Sequence, residues 1–133
     1  AQALLKKNME INQIKPFVWK HIRDDVVRFL SDDHAAYDLI VCDPPSSSKD
    51  FEEYTKINAL AMARLKPGGI LFTTGLTHSQ FNATDLVKAV NWASEKASRN
   101  VRILEPLYQS SDFPVLPSHM QGAHLCGYIL YVE

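Results

Sequence analysis

The chain has 133 residues, 46% of them hydrophobic and 22% charged, which suits one globular domain that buries its own core without disulfides or a structural metal. Its formal net charge is −1, from 14 basic and 15 acidic residues, which excludes a generally basic nucleic-acid coat and leaves room only for a local basic patch. The longest apolar runs, such as Gly69 to Phe72 and Tyr128 to Val132, are too short for a transmembrane helix.

In chain order, Leu4, Leu5, Met9 and Ile11 recur at helical spacing among good helix formers, so residues 2–12 are expected to be helical. Pro16 ends that possibility. Phe17 to Ile22 is rich in β formers and is expected to be a strand. Asp24 or Asp25 suits the N-cap of a short helix through Val26, Val27 and Leu30. Tyr37 to Cys42, YDLIVC, is a short apolar run of the kind that forms a buried parallel strand, and Asp43-Pro44-Pro45 stops it. Three serines follow, and then Phe51, Tyr54, Ile57 and Ala61 mark one face of a helix ending at Leu65. Lys66-Pro67-Gly68-Gly69 reads as a turn, and Ile70 to Thr74 as the next buried strand. Asn82 or Thr84 caps a helix that turns Leu86, Val90, Ala93 and Ala97 inward. Val101 to Leu107 and Leu125 to Val132 are the last strands, separated by the long loop Gln109 to Ala123. A loop of that length points to function or to packing over a site.

Alternating helices and strands imply an α/β sheet with mostly parallel strands. The last two strands have no helix between them and are expected to pair antiparallel. No repeat or linker divides the chain, so it is treated as one unit. Charge is uneven: residues 1–30 carry a surplus of three positive charges and residues 31–66 a surplus of three negative ones. The basic surplus fits a solvated face as well as a phosphate track. Cys42 and Cys126 can form at most one disulfide and cannot make a four-ligand zinc site, which favours a reducing, cytoplasmic setting. Ala1 to Leu5 runs at once into Lys6 and Lys7, unlike a signal peptide.

In open α/β sheets ligands bind beyond the carboxyl ends of the strands. Three motifs fall there: Arg23-Asp24-Asp25, Cys42-Asp43-Pro44-Pro45, and Thr74-Gly75-Leu76-Thr77-His78. Asp43-Pro44-Pro45 is the sharpest of them. Two consecutive prolines fix the backbone, remove two N–H donors and leave carbonyls facing out. A carboxylate beside such carbonyls can accept hydrogen bonds from an amino group on a flat base, although the same tripeptide also serves as a plain strand-ending turn.

Together, the acidic turn, YDLIVCDPP, LKPGGILFTT and the late segment running from DFPVLPSH to GYILYVE resemble class I S-adenosylmethionine-dependent methyltransferases. More narrowly, they resemble the bacterial 23S rRNA cytosine-5 methyltransferase family, with DFPVLPSH the more discriminating piece. The resemblance runs over nearly the whole chain. It implies a Rossmann-like fold, S-adenosylmethionine as cofactor, and RNA, a ribosomal RNA base in particular, as substrate. It also implies roles: Asp25, with Asp24 as runner-up, for the adenine amino group of the cofactor; Asp43, Pro44 and Pro45 for the pocket shared by cofactor and target base. His78, Asp112 and His119 are the weaker candidates for substrate contact. The acids at 24 and 25 equally suit helix capping, Phe51 and Tyr54 suit the core, and Ser46-Ser47-Ser48 a helix lead-in. No metal site is expected, since His21, His34, His119 and His124 show no ligand spacing.

Two departures stand out. The family opens with a strand and a Gly-rich loop against the methionine part of the cofactor, yet the five glycines here (68, 69, 75, 122 and 127) make no such loop near the start. The chain therefore reads as the C-terminal portion of a methyltransferase domain, carrying the third to seventh strands. The open edge of the Tyr37–Cys42 strand is then expected to pair with the strand at Phe17–Ile22, or to dimerise or swap. Second, carbon 5 of cytosine is unreactive until a thiolate adds at carbon 6, and Leu76 stands where the family places its cysteine. Cys42 and Cys126 read as small core residues. That leaves methylation of an amino group or of another substrate, or a catalytically incomplete domain that binds RNA or dimerises.

Overall fold

The protein is described from a computed structural model, over residues 2–44, 51–77 and 81–133. In chain order these form helix α1 (Gln2–Ile11), a 3-10 turn (Pro16–Val18), α2 (Val26–Asp32), β1 (Tyr37–Cys42), α3 (Phe51–Arg64), β2 (Leu65–Leu76), α4 (Ala83–Ala97), β3 (Val101–Tyr108), a second 3-10 turn (Met120–Gly122) and β4 (Leu125–Val132).

The four strands make one sheet in the order β1-β2-β4-β3. β1 and β2 run parallel, as a crossover through α3 requires, while β4 pairs antiparallel with both β2 and β3. The last strand therefore inserts between the two that precede it, and the expected antiparallel pairing of the final strands holds.

Helix boundaries follow local chemistry. Asp25 caps α2 by accepting a hydrogen bond from the Arg28 N–H at 2.9 Å. Asn82 caps α4 in a capping box: its side chain accepts from the Thr84 and Asp85 N–H groups, and Asp85 accepts in return from the Asn82 N–H. Such a cap stabilises a helix by about 1 kcal/mol. Ser98, in the left-handed region at φ 52°, ends α4.

Helices α3 and α4 pack on the same face of the sheet. Ile57, Met62, Val90 and Ala93 meet Leu71, Leu130 and Val132 in one buried cluster that also holds Cys42. Full burial of each large apolar side chain is worth about 1.5–3 kcal/mol. A smaller cluster joins Tyr54, Phe81, Leu86, Ala89 and Cys126. Paired residues share a face, so Leu39, Val41, Phe72 and Ile129 lie on the opposite side, along the β1 and β2 registers. There Leu39 and Val41 are 58% and 63% exposed.

Two expectations are corrected. Phe17–Ile22 is not a strand: it opens with a 3-10 turn and continues as irregular chain, with Phe17 81% exposed. β formers need a ladder partner, and among the described residues no strand pairs with this segment, so propensity alone does not extend it. Its expected pairing with β1 is absent for the same reason, and β1 is an edge strand. Lys66–Gly69 is not a free turn either, because it lies inside β2. Between the pairs Tyr37↔Leu65 and Leu39↔Ile70, Asp38 of β1 alone faces Lys66–Gly69 of β2, and the surplus is absorbed as a bulge. Gly68 takes φ +81° there, and a Cβ on Gly69 would come within 2.9 Å of the Lys66 carbonyl oxygen.

Candidate functional site

The parallel pair β1 and β2 carries its carboxyl ends to one edge of the sheet. Asp43 and Pro44 follow β1 directly. β1–β2 registration places Cys42 beside Thr73, so Asp43 emerges beside Thr74. The Thr74 hydroxyl, buried in β2, donates to Oδ1 of Asp43 at 2.6 Å. Asp43 itself is exposed. Behind Thr74, Gly75 lies against a stacked aromatic pair, Tyr54 and Phe81, whose ring centroids are 4.7 Å apart. A Cβ at Gly75 would stand 3.2 Å from the Tyr54 hydroxyl, so the small residue lets this floor close under the strand end.

A cleft of about 840 Å³ opens beside the β1 edge. Ile22, Val26 and Phe29 line it on one side, and Leu39, Val41 and Asp43 on the other. Pro44 and Cys42 also contribute to its wall. Asp33 and Tyr37 join the lining and hydrogen-bond each other, which holds the Asp33 carboxyl below its ordinary range and the Tyr37 phenol above its own.

Asp24 and Asp25 stand at the start of α2, between Ile22 and Val26, but do not line the cleft. Each has one carboxylate oxygen engaged with a backbone N–H: Asp24 with that of Asp25 and Asp25 with that of Arg28, both at 2.9 Å. The helix-capping alternative is thus realised at Asp25. Asp112 and His119 are exposed in the loop after β3 and also lie outside the cleft lining. Topology nevertheless brings that loop to the same edge, because β4 begins opposite the end of β2 at Leu125↔Leu76. The Thr77 N–H donates to the His124 carbonyl at 2.6 Å, and the His124 N–H to the Gln109 side chain at 3.3 Å, tying the loop base down beside β2. Pro45, Ser46–Ser48 and His78 lie outside the described residues.

Neither cysteine is a ready thiolate. Burial pushes the Cys42 thiol up to about 11, with the neighbouring Thr73 hydroxyl acting in the opposite direction. The protonated thiol is therefore the form held at neutral pH. Burial also raises the Cys126 pKa, and its Sγ donates to the Gly75 carbonyl at 3.6 Å. Both side chains are core residues, as expected. No cluster of three potential metal ligands exists among the described residues. Within them, too, no helix is long and apolar enough to cross a membrane.

Sequence reasoning singled out Asp43 and missed its partner. Thr74 lies two residues before the end of β2 as the second of two adjacent threonines, and a hydroxyl at a position otherwise suited to valine was the one available signal.

No family model matches the chain. It is 35% identical over 138 residues to ribosomal RNA large subunit methyltransferase I of Cronobacter sakazakii, an alignment covering 96% of this chain and 34% of that protein. The corresponding protein of an Enterobacter strain is 34% identical over 134 residues, covering 92% of this chain and 33% of its own length. The chain spans about a third of the length of these relatives. Among solved structures, a candidate SAM-dependent methyltransferase from Streptococcus mutans superposes with a TM-score of 0.81 at 19% identity, over 97% of this chain and 35% of that one. The chain is therefore similar, along nearly all of its length, to about a third of the ribosomal RNA large subunit methyltransferase I proteins, and it has the Rossmann-like α/β fold found in SAM-dependent methyltransferases.

Proposed function

We propose that this chain forms the target-base side of an S-adenosylmethionine-dependent methyltransferase acting on ribosomal RNA. The observation that carries the proposal is the Asp43 carboxylate at the carboxyl end of a parallel strand, held by Thr74 at the mouth of the cleft. The relatives' names support RNA as the substrate class. Residues 1–133 are read as the C-terminal portion of the methyltransferase domain, with the Gly-rich cofactor loop outside it. Support comes from the third of the relatives' length that the chain spans, and from the exposed apolar side chains Ile22, Leu39 and Val41 around the β1 edge.

The residues present fit part of the cofactor. Asp24 and Asp25 each keep a carboxylate oxygen beyond the one engaged with backbone. They lie between Ile22 and Val26, which line the cleft, without lining it themselves. An acceptor beside apolar side chains suits an adenine, whose amino group donates and whose faces are flat and apolar. A solved structural neighbour with a TM-score of 0.78 and 20% identity is complexed with SAH. When bound, S-adenosylmethionine supplies a methyl group on a sulfonium, open to direct attack by a lone pair.

The chain's own part is to bind and orient. With Oδ1 engaged by Thr74, Oδ2 of Asp43 is left as the acceptor that would take one N–H of the base's exocyclic amino group and hold that nitrogen in one orientation. Pro44 keeps the backbone after Asp43 rigid and without an N–H donor. His78, Asp112 and His119 are read as contacts to the RNA around the target base. Leu76 at the position of the family's cysteine and the two buried thiols favour an amino nitrogen, or another substrate, over carbon 5 as the target.

A second reading, a catalytically incomplete methyltransferase-like domain that binds RNA or self-associates, is favoured by the exposed β1 edge. On that reading two copies of the isolated chain pair through β1.

Calorimetric titration with S-adenosylhomocysteine, together with transfer of labelled methyl to a large-subunit rRNA transcript, separates the two. Micromolar binding, with transfer that Asp43→Ala abolishes while sparing cofactor affinity, supports the enzyme. Unchanged transfer in Asp43→Ala overturns the role of Asp43, and absence of binding by the chain favours the incomplete domain.

A further inference from the structure

We propose that Thr74 is a positioning residue for Asp43 and that Gly127 sets the orientation in which it works. The inference rests on the reading of Asp43 as the acceptor for the target base. Among the described residues, the Thr74 hydroxyl is the one side-chain partner of the Asp43 carboxylate, at 2.6 Å. An exposed aspartate at a strand end otherwise samples several rotamers. A charge-assisted hydrogen bond from a buried donor selects one of them and leaves Oδ2 as the available acceptor.

Thr74 is itself pinned on both branches of its Cβ. It is 6% exposed, and Oγ1 reaches across to Asp43 beyond β1. In the β2–β4 ladder its partner is Gly127. A Cβ added at Gly127 would lie 3.0 Å from Cγ2 of Thr74 and 2.6 Å from the Thr73 carbonyl oxygen. Only a residue without a side chain lets β4 approach this closely, and the approach packs the Thr74 methyl against β4. A β-branched side chain has little χ1 freedom, so fixing the methyl on one side fixes the hydroxyl on the other. Valine fills the same volume in this strand. The hydroxyl is therefore explained by the carboxylate it serves and not by packing.

The test uses Thr74→Val, which removes the hydroxyl at constant shape, and Thr74→Ser, which restores it. The Asp43 γ-carboxyl ¹³C resonance of the full chain is read in each variant, and backbone amide spectra verify that each is folded. Methyl transfer from S-adenosylmethionine to the rRNA transcript is read in parallel. Thr74→Val is expected to move the carboxyl resonance and to lower kcat by about tenfold or more, with KM for S-adenosylmethionine changed less than twofold. Thr74→Ser is expected to return the resonance and most of the turnover. An Asp43 resonance in Thr74→Val identical to that of the parent chain overturns the inference. Should Asp43→Ala leave transfer unchanged while Thr74→Val still moves the resonance, the reading of the site fails and the positioning stands.

Discussion

Arg99 offers the sharpest test of how the sheet is closed. It follows the left-handed Ser98 at the end of α4, and its guanidinium forks across three elements. Nη1 donates to the carbonyls of Met62 and Leu65, both at 2.9 Å, near the end of α3 and the start of β2. Nη2 reaches Lys66 and Val132 at 3.2 and 3.5 Å, and Nε reaches Glu133. The Met62 carbonyl belongs to the last turn of α3, which has no helical partner for it, and a cation there also meets the negative end of the helix dipole. Hydrogen bonds to a charged group contribute about 1.5–3 kcal/mol each, but those to exposed carbonyls are largely replaced by water. Three of these bonds are part-buried, and the one to Val132 is long at 3.5 Å; counting the two short ones and discounting for non-additivity, Arg99→Met is expected to cost about 3 kcal/mol. That corresponds to a fall in Tm of about 10 °C for a domain of this size. Thermal and urea unfolding followed by circular dichroism would measure it. Arg99→Lys should recover less than half, because an ammonium lacks the planar fork that serves several carbonyls at once. A loss below about 1 kcal/mol, or full recovery by lysine, would refute the clasp.

Two further outcomes are expected. The Cys42 thiol, raised from 9.0 to about 11, favours the protonated form in the folded state. Its contribution is complete below pH 9 and is lost as pH rises toward 11, so stability should fall by roughly 2–3 kcal/mol across that window, and in Cys42→Ala this component should vanish. Equal pH slopes for the two proteins between pH 9 and 11 would refute the burial argument. For the β1 edge, sedimentation of the isolated chain should show a concentration-dependent dimer, and Val41→Lys, at a position 63% exposed, should leave it monomeric. A parent chain monomeric at high concentration would leave no role for that edge in self-association.

Local chemistry was legible wherever it was sufficient. YDLIVC and LCGYILYV become strands over the ranges their apolar runs predict, and Asn82 caps α4, because runs, caps and turn residues act within a few positions. Asp43 and Pro44 were legible as a motif and stand at the strand end where the α/β pattern puts ligands. Other features depended on partners distant in sequence. Phe17–Ile22 has strand composition and no ladder partner, so it remains irregular. Lys66–Gly69 has turn composition, yet β1 and β4 draw it into β2 as a bulge. That β4 inserts between β2 and β3 follows from long-range hydrogen bonding. The bond from Thr74 to Asp43 spans 31 residues, and the Arg99 clasp spans more than 30. Sequence by itself determined where elements start, stop and carry charge, since those depend on neighbours along the chain. Tertiary structure alone decided which buried hydroxyl holds the Asp43 carboxylate and which edge stays open, since those depend on neighbours brought together only by folding.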